Sequence, residues 1–399
     1  MRKGWEYKKL GEVTSFFRGL TYSGKDEVDK SNNIVLRSNN IDLSTNSLNF
    51  DELKFISDSI TIPQDKKLRK NSIFMCMSNG SKQHLGKVAF IEKEYPYAFG
   101  GFMGLIVPNE DKLVPKFTYY YFCSQKFKAY LSAIGNGANI NNIKYIDIAK
   151  DSIPLPPLST QLAIVSELDK INELIRLKKE QLKDSDNLAQ SIFYEMFGDP
   201  VENEKGWEVK KLGEVCNITS SKRIFADEYT DKGIPFYRSK EVIERSKGLP
   251  ISVELFISPE RYSEIKEKFG IPNVGDILVT AVGTIGKIWS IDTDEKFYFK
   301  DGNLVWLKDI DSSLVNTIFF RRLLEYLIDE YKKINANGAA YSALTIAKLK
   351  LMQCPLPPLP LQQLFAQLIE QIEHQKAEVQ KAITDLETLL ASRMQYWFE

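Results

Sequence analysis

Two histidines, four cysteines and one Gly-Lys loop are the groups in this 399-residue chain from which catalysis could be built. His84 and His374 are far apart, and a metal centre or a histidine-based triad draws on more such residues than that. His374 lies in "QIEHQK", a Gln- and Glu-rich helical face that reads as solvated. Cys76, Cys123, Cys216 and Cys354 are scattered with no CxxC pair, which suits small apolar side chains in a reducing compartment rather than disulfides or zinc ligands. "GTIGK" at Gly283–Lys287 resembles a phosphate loop, but that motif needs a glycine where Ala281 stands and a hydroxyl where Ile288 stands. The matching loop, Gly80 to Lys87, is one residue too long and runs into Val88. No G-x-G-x-x-G opens a βαβ unit, so a Rossmann-type nucleotide domain is not expected. Glu-x-Lys triplets such as Glu264–Lys266 read as solvated charge in a chain this rich in Glu and Lys. No spacing supports catalysis, and no catalytic residue, metal or cofactor is expected on this chain.

The elements around these residues are written twice. "KGWEYKKLGEV" (Lys3–Val13) returns as "KGWEVKKLGEV" (Lys205–Val215), differing only at Tyr7 against Val209. "SIPLPPLSTQ" at Ser152–Gln161 returns as "QCPLPPLPLQ" at Gln353–Gln362, "VLRSNN" as "FYRSKE", "GKVAFIE" as "GKIWSID", and "NGAN" as "NGAA". A period near 200 is too long for a solenoid and marks a duplicated domain.

Composition bounds the class. Hydrophobic residues make up 43% and charged residues 27%, ordinary for a globular protein and too apolar for disorder. No apolar run reaches 18 residues, so no membrane span is expected. "MRKGWEYKKL" has no apolar stretch after its basic residues, so no signal peptide is expected either, and the expected location is cytoplasmic. Fifty-three basic residues balance 53 acidic ones. That disfavours a protein that coats nucleic acid unaided and leaves room for a local basic face or a partner that grips phosphates.

Within each repeat, short β-rich runs ("NIVLRS", "KVAFIE", "DILVTAV", "NLVWLK") alternate with Gly, Asn and Pro turns, giving α+β character. Asp26–Phe50 and Asp227–Leu249 match only at their Arg-Ser pair. The Tyr-rich stretch Phe117–Leu131 has helical spacing and reads as core rather than as a base-stacking surface. After each "PLPPL", Ser159–Phe197 and Leu361–Glu399 contain neither Pro nor Gly, and Ser159 is placed to N-cap the first helix. Heptads put Leu168, Ile175, Leu182 and Ile171, Ile192 at a and d positions of the first helix. In the second, Ile369, Ile383, Leu390 and Ile372, Val379, Leu386 take those positions, so both carry a coiled-coil seam. Each helix is about 57 Å long at the standard rise. The expected domains are residues 1–158, the first long helix at 159–197, a linker at 198–205, a second domain at 206–358 and a second long helix at 359–399. The expected architecture is α+β: two duplicated domains joined by two long helices that form an antiparallel coiled coil, with pseudo-twofold symmetry. The doubled opening segment then docks each domain on the rod, with Trp5 and Trp207 as anchors. Two similar, non-identical heads at a fixed separation suit two different targets one to two turns apart on duplex DNA, where one turn is about 34 Å.

The order of domain, "PLPPL" and long helix, stated twice, together with Gly4-Trp5, Leu10-Gly11-Glu12, Gly206-Trp207 and Leu212-Gly213-Glu214, resembles the specificity subunit of type I restriction–modification enzymes over essentially the whole chain. That family usually has Glu-Gln after "PLPPL"; here Thr160-Gln161 and Gln362-Gln363 stand nearby. The resemblance implies that each α/β head is a target-recognition domain reading one half of a bipartite, asymmetric site in double-stranded DNA. It implies that the helices set the spacing and dock two adenine-N6 methyltransferase subunits, which ATP-dependent restriction motor–nuclease subunits join. S-adenosylmethionine, ATP and Mg would then belong to those partners, and this chain would be non-catalytic.

Under that reading, DNA contacts are expected from polar loops that flank shared framework. Arg37, Ser38, Asn39 and Asn40 align with Arg238, Ser239, Lys240 and Glu241, of which Arg238, Ser239 and Lys240 are candidates. The longer loop of the first repeat adds Ser81, Lys82, Gln83, His84 and Lys87, against Thr284 and Lys287 in the second. The Asn-Gly loops add Asn136, Asn139 and Asn337. Arg37, Arg238, Lys87 and Lys287, being shared, are expected to hold phosphate or the fold, and Lys82, Gln83 and His84 to read bases. The alternatives are a coiled-coil bridging protein that binds protein partners and not DNA, which neutral charge suits, and a stand-alone DNA-modifying enzyme, which the missing motifs oppose.

Overall fold

The structure, a computed structural model, describes residues 4–81, 84–134, 142–335 and 343–399. The chain divides into two compact units, Met1–Glu180 with Gln380–Glu399, and Gln181–Val379. Each unit holds one head together with a segment of each long helix.

In the first unit a four-stranded antiparallel sheet runs in the order Thr14–Arg18, Met103–Pro108, Ser72–Cys76, Val88–Ile91. The sequence "SIFMC" of Ser72–Cys76 is buried at all five positions because this central strand has apolar layers on both faces. Alternation sends Ile73 and Met75 to one cluster, with the helices Pro115–Cys123 and Gln125–Ile134, and Phe74 and Cys76 to another. Phe117, Tyr120, Tyr121 and Phe122 are buried in the first of these, so the Tyr-rich stretch is core. A second sheet pairs Ala98–Phe99 parallel to Asn33–Leu36, with Lys54–Ile56 and Glu27–Val28 following antiparallel.

The second unit repeats this plan. Ile277–Thr280 is the matching central strand, between Leu304–Lys308 and Ile288–Ser290, with Asn217–Thr219 at the far edge. Ile277 and Val279 face one cluster, and Leu278 faces another built on Trp289, Phe299 and Trp306. The units differ where the repeats diverge in sequence. After Arg37 the chain makes a single 3-10 turn, Ser38–Asn40, and a small hairpin. After Arg238 it makes the helix Ser239–Ser246, and later Pro259–Phe269.

The doubled opening segment has one job in both units. Glu6–Lys9 pairs antiparallel with Ser152–Leu155, and Glu208–Lys211 pairs with Gln353–Leu356 in the same register. Leu10 and Leu212 are wholly buried, and their N–H groups donate to Asp151 O at 2.8 Å and Met352 O at 2.9 Å. The strand that opens a head therefore closes it against "PLPPL". Trp5 stacks on Trp397 with ring centroids 6.2 Å apart. Trp207 Nε1 donates to Phe197 O at 2.8 Å. Both tryptophans reach the end of a long helix.

The long helices span Leu158–Phe197 and Leu359–Phe398. Ser159 is not the cap expected from sequence. It lies inside the first turn, and the Pro157 carbonyl takes the N–H groups of Thr160 and Gln161, as Pro358 does for Leu361 and Gln362. Pro157 therefore occupies the N-cap position, two residues before Ser159, its carbonyl accepting the first bonds of the helix. Leu168, Ile171, Ile175, Ile369, Ile372, Val379 and Ile383 are buried, and Leu182, Ile192, Leu386 and Leu390 half-buried. Within the first unit Glu167 bonds Arg393 and Lys179 bonds Glu387. Within the second Lys376 bonds Asp186, and Phe193 packs on Phe365. In both units the partner number falls as the first helix advances, so the segments run antiparallel.

Candidate nucleic-acid interface

The divergent loops come together in the first head. There Asn40 is buried, and its side chain closes the turn that follows Arg37. Its Oδ1 accepts from Arg37 N at 2.8 Å, and Nδ2 donates to Asn49 O at 3.0 Å and Glu52 O at 2.8 Å. Both polar atoms of its side chain are engaged, so Asn40 holds the loop in shape. Ser38 Oγ accepts from Asn79 Nδ2 at 3.1 Å, and Asn79 Oδ1 accepts from Ser81 N at 2.9 Å. Two of the loops singled out in sequence are thereby tied together. Lys87 is also withdrawn: it is buried, and its Nζ donates to Ile41 O at 3.0 Å. Burial pushes its pKa down. In this position its ammonium holds the backbone at Ile41.

Arg37, Ser38 and Asn39 line a groove of about 750 Å³ with Arg18, Tyr22, Asn79 and Phe102. The Arg37 Nε is buried without a hydrogen-bond partner. The Nδ1 of His84, half-buried in the adjoining loop, is likewise unpartnered. Lys82, Gln83, Asn136, Asn139 and Asn337 lie outside the described residues.

The second head treats the equivalent arginine differently. Glu241 takes the place of Asn40, its Oε2 accepting from Arg238 N at 2.7 Å while Oε1 pairs with the guanidinium at 2.9 Å. Glu254 adds a second acid to Arg238 at 2.9 Å and pairs with Lys240 at 2.8 Å. Hydrogen bonds from Lys240 and Arg238 hold the Glu254 carboxyl down at about 2. Ser239 Oγ is buried and unpartnered. Lys287 and Thr284 are exposed, in contrast to Lys87. Cationic groups that could meet phosphate or guanine are thus open at Arg37 and neutralised at Arg238 and Lys240.

The Gly-Lys loops are tight turns. Gly86 and Gly286 both have φ +77°, and a Cβ on either would lie 2.4 Å from Leu131 Cδ1 or Ile328 Cγ2. Only glycine allows that backbone to pass under the helix. Among the described residues, no group of three or more His, Cys, Asp or Glu could hold a metal ion, and no helix is long and apolar enough to cross a membrane. Arg18, Tyr22, Asn79 and Phe102 were not singled out in sequence. The signal at Phe102 is an aromatic after two glycines ("GGF").

These two heads, each a sheet framework presenting its own loops, define a duplicated recognition protein. The family model for the type I restriction modification DNA specificity domain matches residues 2–185 and again 204–388. The chain belongs to that family and carries two DNA specificity domains. A Haemophilus influenzae relative is 29% identical over 276 residues, 67% of this chain and 66% of its own length. The MjaIX specificity subunit of Methanocaldococcus jannaschii is 27% identical over 303 residues, 71% of this chain and 68% of its own. The two alignments span about two thirds of each relative. The StySPI specificity subunit of Salmonella potsdam is 22% identical over 422 aligned positions, covering 98% of this chain and 87% of the relative. Among solved structures, a chain from work on complex assembly and conformational transition of the type I R–M system superposes with TM-score 0.61 at 19% identity, covering 99% of this chain and 97% of that one. The type I S subunit from M. genitalium gives 0.52 at 16% identity, covering 99% and 96%. At these identities the structural likeness speaks for the fold.

Proposed function

We propose that this chain supplies sequence specificity to a type I restriction–modification assembly in the cytoplasm. The head at residues 1–158 reads one half of a bipartite, asymmetric DNA site, and the head at 206–358 reads the other. The observation that carries this is the pairing of a shared framework with unlike loops at matched positions: Arg37–Asn40 against Arg238–Glu241, with opposite electrostatic settings. A duplicated frame with divergent tips suits two unlike half-sites. The long helices, about 60 Å each for 40 residues at the standard rise, fix the gap between half-sites. The outward faces of these helices, where Leu162, Leu174, Leu188, Leu364 and Leu389 are exposed, are the surfaces on which two methyltransferase subunits would dock. Methyl transfer and ATP-driven cleavage, with S-adenosylmethionine, ATP and Mg, belong to the partners, and this chain performs no chemistry itself.

The test is a base-resolution map of N6-methyladenine in cells with and without the gene, partners present. Loss of one two-part asymmetric motif with a fixed gap establishes the reading and gives both half-sites. An unchanged map, together with no salt-dependent binding of the assembled complex to duplex DNA, would leave the chain as a bridge between protein partners.

A further inference from the structure

Phe102 is 72% exposed, although burying a large aromatic is the favourable outcome in folding. Its backbone is not loose. The Phe102 carbonyl accepts from Met77 N at 2.9 Å and Ser78 N at 3.1 Å, while Gly100 N donates to Leu36 O at 2.9 Å and Met103 N to Gly100 O at 2.8 Å. A Cβ on Gly19 would lie 2.0 Å from the Gly100 oxygen, so the neighbouring chain passes with no slack. The ring is therefore held out on a fixed support, and it lines the same groove as Arg37, Asn39 and Asn79.

The second head has the same support and a different side chain. Asn303 O accepts from Ala281 N at 2.8 Å. Ala281 follows Thr280 as Met77 follows Cys76, and these strand ends pair with Leu304 and Met103. Phe102 and Asn303 are thus one framework position occupied by an apolar group in one head and an amide in the other. We infer that this position reads a base in both domains. Phe102 contacts the C5-methyl group of a thymine in the first half-site, and Asn303 hydrogen-bonds an adenine in the second, the pairings that major-groove chemistry assigns to these side chains.

The inference rests on the DNA-recognition reading above, and its test separates the two. Duplexes carrying the mapped site are prepared with deoxyuridine replacing each thymidine of the first half-site in turn, which removes one methyl group and nothing else. Binding of the complete complex, with wild-type chain, Phe102→Ala or Phe102→Asn, is then measured. At one position uracil should weaken wild-type binding about fourfold, the value of one buried methyl group, and leave Phe102→Ala unaffected. Phe102→Asn should shift the preference there from thymine towards adenine. In the second half-site, 7-deazaadenine, which lacks the N7 acceptor, should weaken wild type and not Asn303→Ala. Equal uracil sensitivity in wild type and Phe102→Ala, or none in either, overturns the inference while leaving the function intact. Absence of any sequence-specific binding by the wild-type complex overturns both. Because Phe102 is exposed, its variants keep the fold, which unchanged thermal unfolding would verify.

Discussion

Gln161, wholly buried at the foot of the first long helix, accepts a hydrogen bond from the backbone N–H of Val114 at 2.8 Å. Its Nε2 donates to Lys112 O at 2.9 Å and Pro156 O at 2.8 Å. Gln362 does the same in the second unit, accepting from Asn316 N at 2.8 Å and donating to Leu314 O at 3.0 Å and Pro357 O at 2.8 Å. One amide ties the chain entering a head's helical layer to the turn that starts the long helix. Replacing Gln161 by Leu leaves a buried donor and two acceptors unpaired, at about 1 to 3 kcal/mol for each group that water cannot reach. Urea unfolding should register a loss of at least about 2 kcal/mol, and Gln362→Leu should cost a similar amount.

Gly86 and Gly286 make a matched pair of backbone probes. Alanine at either must adopt positive φ and push into Leu131 or Ile328, with about 1 to 2 kcal/mol for the left-handed conformation and a further overpacking cost. Both variants should lower the melting temperature. Unequal losses would show that the two turns are not equivalent supports.

Arg37 and Asn40, three residues apart, should separate recognition from stability. Arg37→Ala removes a guanidinium that makes no ion pair among the described residues. It should leave thermal unfolding unchanged while weakening DNA binding and lowering the salt slope by about one if the group meets phosphate. Asn40→Ala strips the cap and two backbone bonds and should cost about 2 kcal/mol or more before any effect on affinity.

Glu167 provides a pH signature. Hydrogen bonds from Arg393, and then Trp397, hold its carboxyl below the ordinary glutamate value of 4.5. A depressed folded-state pKa means that its stabilisation is fully present above 4.5 and is lost as pH falls through the lower, folded value. The pair is about one-third exposed, so screening limits it to about 1 kcal/mol. Glu167→Gln should be less stable than wild type at pH 7, and the difference should shrink in urea titrations below 4.5. A constant difference across that range would mean that packing, not charge, accounts for it.

The repeat and the helices were legible in the sequence because identity and heptad spacing survive without knowledge of contacts. The seam residues from Leu168 to Leu390 sit where the periodicity puts them. Asn40 and Glu241 align in sequence, but their common role was not legible, because two residue types perform the same capping bond. The state of Arg238 is set by Glu241 and by Glu254, 16 residues on, where the matching strand of the first repeat carries Leu53 instead of an acid. Lys87 and Lys287 share a motif, yet one is buried with its Nζ donating to Ile41 O and the other is exposed, a difference that the Gly-Lys pattern does not encode. The groove beside Phe102 is formed by strands distant in sequence, and no local pattern announces it.

Because the strand that opens each head pairs with the strand that closes it, in the same register both times, a head begins and ends at one seam. At the level of the gene, each head is therefore a cassette bounded by recurring text. An exchange at the two copies of the opening segment would deliver a whole head already fitted to its socket. Such an exchange would move a head as an intact piece, with the strand pairing that closes it already supplied at both ends.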